Sequence, residues 1–289
     1  MRITIFLLGL LLITGSLTAQ RVYKLGGNIG MMTYQGDIDD GLLGFKSPNP
    51  AIGLQGVYQF HPNIGIRGEL NIGRVSNNDK NSPSNSNTRD RNLSFRSNIL
   101  ELSVQGVYEL FGKAKAFRDA SAHYYYFHRS KFTPYLLLGV GLFKMNPQAS
   151  YQGKWYNLQP LGTEGQYLST GKNPSPYSLY QITIPMGIGV RYRLNDKFDL
   201  YYEFGYRKTF TDYLDDVSSY YPDSALMRRE MPREAFALSY RYAPGQRPDY
   251  ARIKRGNSTS EDSYVYTRFG ITYIFDPKTV PLRYKPKRR

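Results

Sequence analysis

The sequence predicts an all-β protein: an eight-stranded antiparallel transmembrane β-barrel of the outer-membrane type, with long extracellular loops. Apolar and polar residues alternate with period two through eight separate stretches, as they do in strands whose two faces meet different surroundings. The connections between these stretches alternate between short and long, which is the asymmetry of an outer-membrane barrel. An apolar export signal precedes the first stretch.

Residues 1–19 have the pattern of a secretory signal peptide. Arg2 precedes an apolar run at residues 3–13, and small residues lead to a cleavage site after Ala19. The apolar run is too short to span a bilayer as a helix, and no cysteine follows it that could carry a lipoprotein anchor. We therefore expect the barrel at residues 20–275 and a basic periplasmic tail at residues 276–289.

The composition limits the chemistry that is open to the chain. Lys and Arg number 38 against 23 Asp and Glu, a formal charge of +15, and there is no cysteine for a disulfide, a thiol nucleophile or a cysteine-ligated metal. The export signal argues against a nucleic-acid partner, so the basic balance favours anionic lipid or acidic partners. Aromatic girdles at two membrane interfaces would account for the 27 tyrosines.

The first three strands are predicted at residues 22–34, 51–60 and 64–74. In each, apolar residues recur at every second position, and glycine, amide and charged residues stand between them. His61-Pro62-Asn63 is a short turn between the second and third strands. The apolar faces carry Tyr23, Leu25, Ile29, Met31, Ile52, Leu54, Tyr58, Phe60, Ile64, Ile66, Leu70 and Ile72.

The fourth and fifth strands are predicted at residues 97–111 and 132–145. The fourth alternates apolar residues such as Leu102 with polar ones such as Gln105. Three consecutive leucines at residues 136–138 leave the phase of the fifth strand open, because period two alone does not say which of them point outward.

The sixth and seventh strands form the clearest hairpin, at residues 180–207. The tight polar turn Asn195-Asp196-Lys197 joins two runs that alternate strictly between apolar residues and small or charged ones. Pro185 lies inside the first run, where it cannot donate a ladder hydrogen bond, and we expect a β-bulge there. The eighth strand is predicted at residues 263–275 and ends on the aromatic residues Tyr273 and Phe275.

The loop lengths orient the barrel. The connections after the second and sixth strands are about three residues long, and the one after the fourth is about 20. The other four are about 15, 22, 34 and 52 residues long. Short turns and both termini then lie in the periplasm. A soluble lipocalin-like barrel is the structural alternative, but it would place the small and charged face in water and the apolar face inside.

The polar faces of the strands supply the predicted lumen. Buried charges in a narrow barrel need partners, so these side chains are expected to form a salt-bridge network that fills the interior. Eight strands leave room for side chains and not for a diffusion pore. The predicted lumen charges are Lys24, Arg67, Glu69, Glu101, Glu109, Arg191, Arg193, Asp199, Glu203, Arg207 and Arg268.

Catalysis is not predicted. A Ser–His device at the outer rim would need a histidine there, but His61, His123 and His128 all fall in connections on the periplasmic side. The acidic run Asp212, Asp215 and Asp216 could bind calcium or could instead pair with basic residues later in the same loop. Those basic residues are Arg228, Arg229 and Arg233. No cofactor, no other metal and no small-molecule substrate are expected.

Five stretches together resemble the PorG-like outer-membrane proteins of the type IX secretion and gliding machinery. They are YQGD at residues 34–37, TPYLLLGVGLFKMNP at 133–147, LQPLGTEGQ at 158–166, IPMGIGVRYRLN at 184–195 and EFGYRKTFTDYLDDVSSYY at 203–221. The resemblance implies a non-enzymatic barrel that anchors or helps assemble a periplasmic ring of PorK-like and PorN-like proteins. The residues that would meet such a ring are His61, Asn195, Asp196, Lys197, Lys285, Lys287, Arg288 and Arg289.

Two other functions stay open on the sequence. The chain could be a generic small outer-membrane barrel with adhesive or ligand-binding extracellular loops. It could also be an enzyme acting on outer-membrane lipid, which the positions of the histidines disfavour.

Overall fold

A computed structural model describes residues 22–38, 47–61, 63–81, 90–110, 117–118, 125–126, 131–169, 173–242 and 253–275. The expected signal peptide and basic tail lie outside these residues, and so do His123, His128, Lys285, Lys287, Arg288 and Arg289.

Eight strands form a closed antiparallel barrel. Each strand pairs with the next along the chain, and β8 pairs with β1 to close the cylinder. Both ends of the chain's barrel segment lie at the same rim, because Tyr23 at the start of β1 pairs with Phe275 at the end of β8. The strands are β1 (Val22–Gln35), β2 (Asn49–His61), β3 (Ile64–Asn78), β4 (Ser94–Glu109), β5 (Phe132–Lys144), β6 (Tyr180–Arg193), β7 (Phe198–Thr209) and β8 (Ser263–Phe275).

The apolar face of every strand points outward, which confirms the membrane barrel over the lipocalin-like alternative. Ile29 on β1 is 69% exposed and Leu54 on β2 is 62% exposed, while the polar residues that alternate with the apolar ones along these strands are buried. The leucine run on β5 is resolved by the same test: Leu136 and Leu138 are exposed, and Leu137 is buried. This outward band of Leu, Ile and Val is the surface that contacts outer-membrane lipid.

Aromatic side chains ring the rim with the short turns. Tyr23 stacks on Tyr58 with ring centroids 5.1 Å apart, and Phe198 packs edge-on against Tyr273 at 5.3 Å. Such rings sit well at the boundary between lipid and water. Other tyrosines lie inside the barrel or in its loops, so a girdle at each interface does not account for all of them. These buried tyrosines are Tyr34, Tyr135, Tyr177, Tyr201, Tyr221, Tyr240, Tyr264 and Tyr266.

The bulge expected at Pro185 is wrong. On one side of β6, Pro185 pairs with Arg207 of β7 in an unbroken register. On the other side, the pairing with β5 skips Ile184 and Pro185 but resumes in the same register, from Thr183 with Gly141 to Met186 with Leu138. No residue is inserted, so the proline costs ladder pairing on one side and does not change which side chains face the lumen.

Four long connections fold together above one rim. We call their described parts the cap: residues 36–38, 47–48, 79–81, 90–93, 145–169, 173–179, 210–242 and 253–262. The cap contains a hairpin of Pro147–Tyr151 and Lys154–Asn157. It also contains two short helices, α1 (Ser224–Glu230) and α2 (Arg233–Ser239), in a connection that the sequence predicted only as a loop.

Local capping explains why α1 begins at Ser224. The carboxylate of Asp223 accepts hydrogen bonds from the backbone N–H groups of Ala225 and Leu226 at 2.8 and 2.9 Å, as an N-cap does. α2 begins directly after Pro232, which stands at its N-cap position and forms no side-chain cap hydrogen bond. Both helices are shorter than an isolated helix needs to be stable in water, so packing against the rest of the cap stabilises them. No described helix is long and apolar enough to cross a membrane.

A hydrophobic core closes the barrel mouth under the cap. Leu93, Leu214 and Val217 from the cap pack against side chains that point inward from the upper ends of the strands. Further apolar clusters hold α1 and α2 against the hairpin and the 158–168 segment. The cap is therefore a folded layer joined to the barrel by a shared core. The strand residues in that core include Met32, Tyr34, Ala51, Val75, Phe95, Ile99, Phe143, Tyr264 and Tyr266.

Candidate functional site: the filled lumen and the cap

The centre of the lumen holds two carboxylates between arginines. Arg67 donates to Glu203 through Nη1 at 2.7 Å and Nη2 at 3.2 Å, and its Nε lies 3.3 Å from Glu69. Arg268 contacts both carboxylates, with its Nη2 2.6 Å from Glu69 Oε1. The hydroxyl of Tyr135 also donates to Glu203, at 2.9 Å. All of these groups are buried, so each ion relies on its partners and not on water.

Glycine makes room for the tyrosine that completes this cluster. The ring of Tyr135 lies directly over Gly189 on β6, where a Cβ would overlap it. A side chain at residue 189 would displace Tyr135 and remove its hydrogen bond to Glu203. The small residues on the lumen face of β6 are thus needed for packing inside the barrel.

A second group of charges lies above the centre, toward the cap. Nε of Arg207 lies 3.4 Å from Glu101, whose Oε2 also accepts a 2.5 Å hydrogen bond from the hydroxyl of Tyr264. Arg207 Nη2 is 3.8 Å from Glu69, which links this group to the central one. The central and upper groups therefore form one continuous set of ion pairs.

A third group lies toward the short-turn rim. Lys24 bonds Asp199 at 3.4 Å, and Arg191 pairs with Glu109 and lies 3.7 Å from Asp199. Arg193, at the end of β6, lies outside the network: its guanidinium bonds Asp196 of the adjoining turn at 2.5 Å. Its position at the last residue of the strand brings it to the rim.

These ten residues, which we call the lumen network, contain as many cations as carboxylates. Arg67, Arg207 and Arg268 match Glu69, Glu101 and Glu203; Lys24 and Arg191 match Glu109 and Asp199. A balanced and buried set of this kind fills and stiffens the barrel, and it offers no unpaired nucleophile or base. This is a structural role.

The cap is organised around a second set of buried ions. Arg255 donates to Glu164 at 3.1 Å and lies 3.6 Å from Asp216. Glu164 also accepts from the backbone N–H groups of Ser218 and Ser219, at 2.9 and 3.1 Å. Burial opposes the charge of Arg255, but the nearby carboxylates of Glu164 and Asp216 leave its pKa raised from its ordinary value. These bonds join the connection after β5 to the connection after β7.

Arg91 ties the other two long connections to the same centre. Its guanidinium forms a two-point pair with Asp79, at 3.0 and 2.9 Å. The same side chain donates to the backbone carbonyls of Asp37, at 2.8 Å, and Arg255, at 2.5 Å. All four long connections therefore meet at Arg91 and Arg255.

The acidic run of the last connection does not form one cation site. The hydroxyl of Tyr34 lies 2.6 Å from Asp215 and 2.9 Å from Asp262, whereas Asp216 accepts from Tyr177 at 2.7 Å and from Thr163. Among the described residues, no group of three or more acidic or histidine side chains is arranged to hold a metal ion. The alternative pairing is also wrong for Arg229, which bonds its neighbour Glu230 at 2.6 Å.

Burial without enough cations makes several cap carboxyls hard to ionise. Desolvation raises the pKa of Asp212 to about 8 and that of Asp216 to about 6. Burial and the adjacent carboxylates also raise the pKa values of Asp215 and Asp262 well above their usual range. The phenol of Tyr34 carries a single proton, so it cannot donate to both Asp215 and Asp262 at once. A proton retained on one of these two acids satisfies the arrangement.

An open cleft of about 630 Å³ lies on the cap beside α1 and α2. Guanidinium groups and aromatic rings line it, and the plane of Arg228 stacks over Phe236 with its Cζ 4.3 Å from the ring centroid. Arg241 is half-buried at its inner side and donates to the hydroxyl of Ser94 at 2.9 Å. The lining residues are Tyr151, Arg228, Met231, Arg233, Phe236, Ala237, Tyr240, Arg241 and Tyr242.

The predicted periplasmic contact residues that the structure describes lie at the short-turn rim. His61 is exposed at the end of β2, and Asn195, Asp196 and Lys197 are all exposed. The side-chain oxygen of Asn195 accepts from the N–H groups of Lys197 and Phe198, both at 2.9 Å, which fixes the turn. The rim is therefore opposite the cap.

Sequence reasoning missed the residues that hold the cap together. Arg91, Glu164 and Arg255 lie in irregular segments, where no periodicity marks a side chain as buried. The sequence predicted Arg228 and Arg233 only as alternative partners for the acidic run of the same loop, and neither forms an ion pair with it. The only local signal was a short helix start at Asp223-Ser224, which the composition of a long polar loop obscured.

Comparison with solved structures finds small outer-membrane proteins. The attachment invasion locus protein Ail of Yersinia pestis shares 11% identity at a TM-score of 0.40, covering 88% of this chain and 98% of that one. Neisserial surface protein A shares 9% identity at a TM-score of 0.38, covering 87% of this chain and 96% of that one. Escherichia coli outer membrane protein W shares 13% identity at a TM-score of 0.34, covering 87% of this chain and 97% of that one. Likeness this distant carries no functional argument.

Sequence comparison points to one family. No curated protein matches the chain. A family model described as a domain of unknown function, DUF6089, matches residues 2–228, which is most of its length. With its closed barrel of eight antiparallel strands and its outward apolar band, the protein is a small outer-membrane β-barrel, and it belongs to the DUF6089 family.

Proposed function

We propose that the barrel serves as an outer-membrane anchor that displays the cap outside the cell as a binding surface. The observation that carries this proposal is the cap itself, in which all four long connections pack into one folded unit around Arg91 and Arg255. Burying two arginines and several carboxylates costs stability, and a set of loops that only closes the barrel does not need them.

A folded cap has an advantage for binding. Association loses free energy when loops must be ordered at the interface, and a surface that is already ordered avoids that loss. The core shared with the barrel mouth fixes the cap relative to the membrane, so a bound partner would be held at a defined height and orientation. This supports the adhesive or ligand-binding function that the sequence left open.

The binding surface acts without chemistry of its own. The one described histidine, His61, lies at the opposite rim, and the buried acids Asp215, Asp216 and Asp262 of the cap are held by tyrosines and a threonine. The balanced lumen network likewise offers no free base. We therefore propose a non-enzymatic role, which disfavours modification of outer-membrane lipid.

A role in type IX secretion and gliding is the second candidate. It rests on the resemblance to the PorG-like proteins, and a ring of PorK-like and PorN-like proteins would meet the exposed rim that carries His61 and the turn Asn195–Lys197. The described residues of that rim include the fixed turn and one exposed histidine, and Phe117–Arg118 pairs with Tyr125–Tyr126 in the connection between β4 and β5. The extensive folded surface is at the other end.

A photocrosslinking amino acid at Tyr220 or at Lys197 separates the two candidates in living cells. Tyr220 is 50% exposed on the cap, and Lys197 is exposed on the short turn. We expect protein adducts from residue 220 and none from residue 197. Adducts with periplasmic ring proteins from residue 197 alone, together with loss of secretion in a deletion strain, would instead establish the secretion role.

A further inference from the structure

The cleft beside α1 and α2 has walls of an unusual composition. Of its nine described lining residues, three are arginines and four are aromatic, and the other two are Met231 and Ala237. Arginine, tyrosine, phenylalanine and methionine are the residues that are enriched at the centres of protein–protein interfaces. The volume of about 630 Å³ accommodates a few side chains of an inserted peptide segment.

The positive charge of the cleft is not neutralised within the described part of the chain. None of the ion pairs that the described residues form involves Arg228, Arg233 or Arg241, whereas the next residue, Arg229, is paired with Glu230. Burial lowers the pKa of Arg241, Asp79 opposes this effect, and the nearby cation Arg255 adds to it by a smaller amount. An anion entering the cleft would compensate the desolvation of this guanidinium group.

The same lining argues for a peptide over a saccharide. Sugar hydroxyls are bound mainly by carboxylate side chains, which accept, and by amide side chains, which both donate and accept. Among the described residues, no Asp, Glu, Asn or Gln lines the cleft. Guanidinium groups bind carboxylates in a two-point geometry, and the rings of Phe236 and Tyr240 offer apolar surface beside them. A segment that combines acidic and apolar side chains uses both features.

We propose that this cleft receives an acidic segment of a protein partner, with its carboxylates on Arg228 and Arg233 and an apolar side chain against Phe236 and Met231. The inference rests on the proposed function, since it names the part of the cap that binds and the chemistry of what is bound. Arg228 is held over Phe236 by its stacking contact, so its donors are positioned before a partner arrives.

Other occupants fit the charge less well. Residues 243–252 of the same chain carry Arg247 and Arg252 against Asp249, so their net charge is positive like that of the cleft. The C-terminal tail is basic, and it follows β8 at the opposite rim. A second copy of the chain would present a cap with the same positive cleft.

Selection from a random twelve-residue peptide library tests the proposal. The full-length protein in lipid nanodiscs is the target, and peptides are eluted by raising the salt concentration. We expect the selected pool to be enriched at least twofold in Asp and Glu over the starting library, with an apolar residue near the acids. The double variant Arg228→Gln/Arg233→Gln should weaken binding of the selected peptides at least tenfold.

Arg229→Gln is the matched control, because Arg229 lies on the same helix but does not line the cleft. It should bind the selected peptides as the wild type does, and heat-modifiable gel mobility checks that every variant keeps its barrel. A pool without acidic enrichment, or binding that survives the double substitution, would overturn the proposal. So would a sulfated disaccharide that binds tightly to the wild type and loses its binding in the double variant, when no selected peptide does so.

The result is distinguishable from failure of the proposed function. Suppose that residue 220 gives adducts in cells but that binding of the selected peptides does not depend on Arg228 and Arg233. That result would support the cap as a binding surface and contradict only the proposal for the cleft. Absence of adducts from residue 220 would remove the proposed function.

Discussion

The lumen and the cap both bury charged side chains, but they balance them differently. In the lumen network, each of five cations is matched by a carboxylate. In the cap, Arg91 and Arg255 face a larger number of carboxyls, and the pKa values of several of these are raised. The barrel interior is therefore built for stability, whereas the stability of the cap depends on pH. The carboxyls grouped around these two arginines are Asp37, Asp79, Glu164, Asp212, Asp215, Asp216 and Asp262.

The largest effect is expected from breaking the lumen balance. Arg268→Met removes a cation that contacts both Glu69 and Glu203, and it leaves two buried carboxylates with fewer partners. Loss of one member of a buried network costs about 3–5 kcal/mol. The measurement is urea unfolding in detergent or bilayers, followed by the shift between folded and unfolded gel mobility.

Arg193→Met is the control for this substitution, because the Arg193 side chain bonds groups of the exposed turn, the carboxylate of Asp196 and the backbone carbonyl of Asn195. Surface pairs contribute at most about 1 kcal/mol. Equal losses for Arg268→Met and Arg193→Met would mean that the central network does not stabilise the barrel.

A smaller and more local effect is expected in the cap. Arg255→Met leaves Glu164 and Asp216 without their shared cation, and lost hydrogen bonds to charged groups cost about 1.5–3 kcal/mol. The single tryptophan, Trp155, lies in the cap hairpin under the guanidinium of Arg96 on β4, so its fluorescence reports on the cap and on its contact with the upper end of that strand. We expect its thermal transition to fall while the gel shift of the barrel stays unchanged.

The two transitions need not separate, because the cap and the strands share a core. If Arg255→Met lowers the Trp155 transition and the barrel transition together by the same amount, the cap and barrel unfold as one unit. That outcome would contradict a cap with its own stability.

The smallest predicted effect is a change in pH dependence. The folded state holds the proton of Asp212 up to about pH 8, whereas the unfolded chain releases it near the ordinary value of 3.8. The folded state therefore binds more protons between these limits, and the free energy of unfolding of the cap should fall as pH rises through them. Asp216, with a pKa of about 6, adds to the lower part of the same window.

Asp212→Asn should make this dependence shallower in the Trp155 transition, since one of the titrating groups is removed. Asp196→Asn, on the exposed short turn, should leave it unchanged. A midpoint that rises with pH in the wild type would show that the cap acids are not held protonated.

The sequence was sufficient to predict the barrel because one rule governs every strand. Each lumen residue alternates with a lipid-facing one, so Glu203 and Arg268 could be assigned to the same interior before their contact was known. The leucine run on β5 was ambiguous because its lumen member, Leu137, is apolar like its neighbours. Arg193 was placed in the lumen by phase, and its position at the last residue of β6 moved it to the turn.

The cap could not be predicted in the same way. Contacts such as Arg255 with Glu164 join residues that are 91 positions apart in segments without a repeating pattern. Their partners are decided by how four connections pack over one barrel mouth, which depends on the closed fold. The two short helices needed that packing as well, so Asp223 alone was too weak a signal.

The central claim is that the cap faces the outside of the cell and the short turns face the periplasm. Because the chain has no cysteine, Tyr220→Cys and Lys197→Cys each introduce a single thiol, one on each rim. A maleimide that cannot cross the outer membrane should label residue 220 on intact cells, and it should label residue 197 only after the outer membrane is permeabilised. Labelling of residue 197 but not of residue 220 on intact cells would contradict the account.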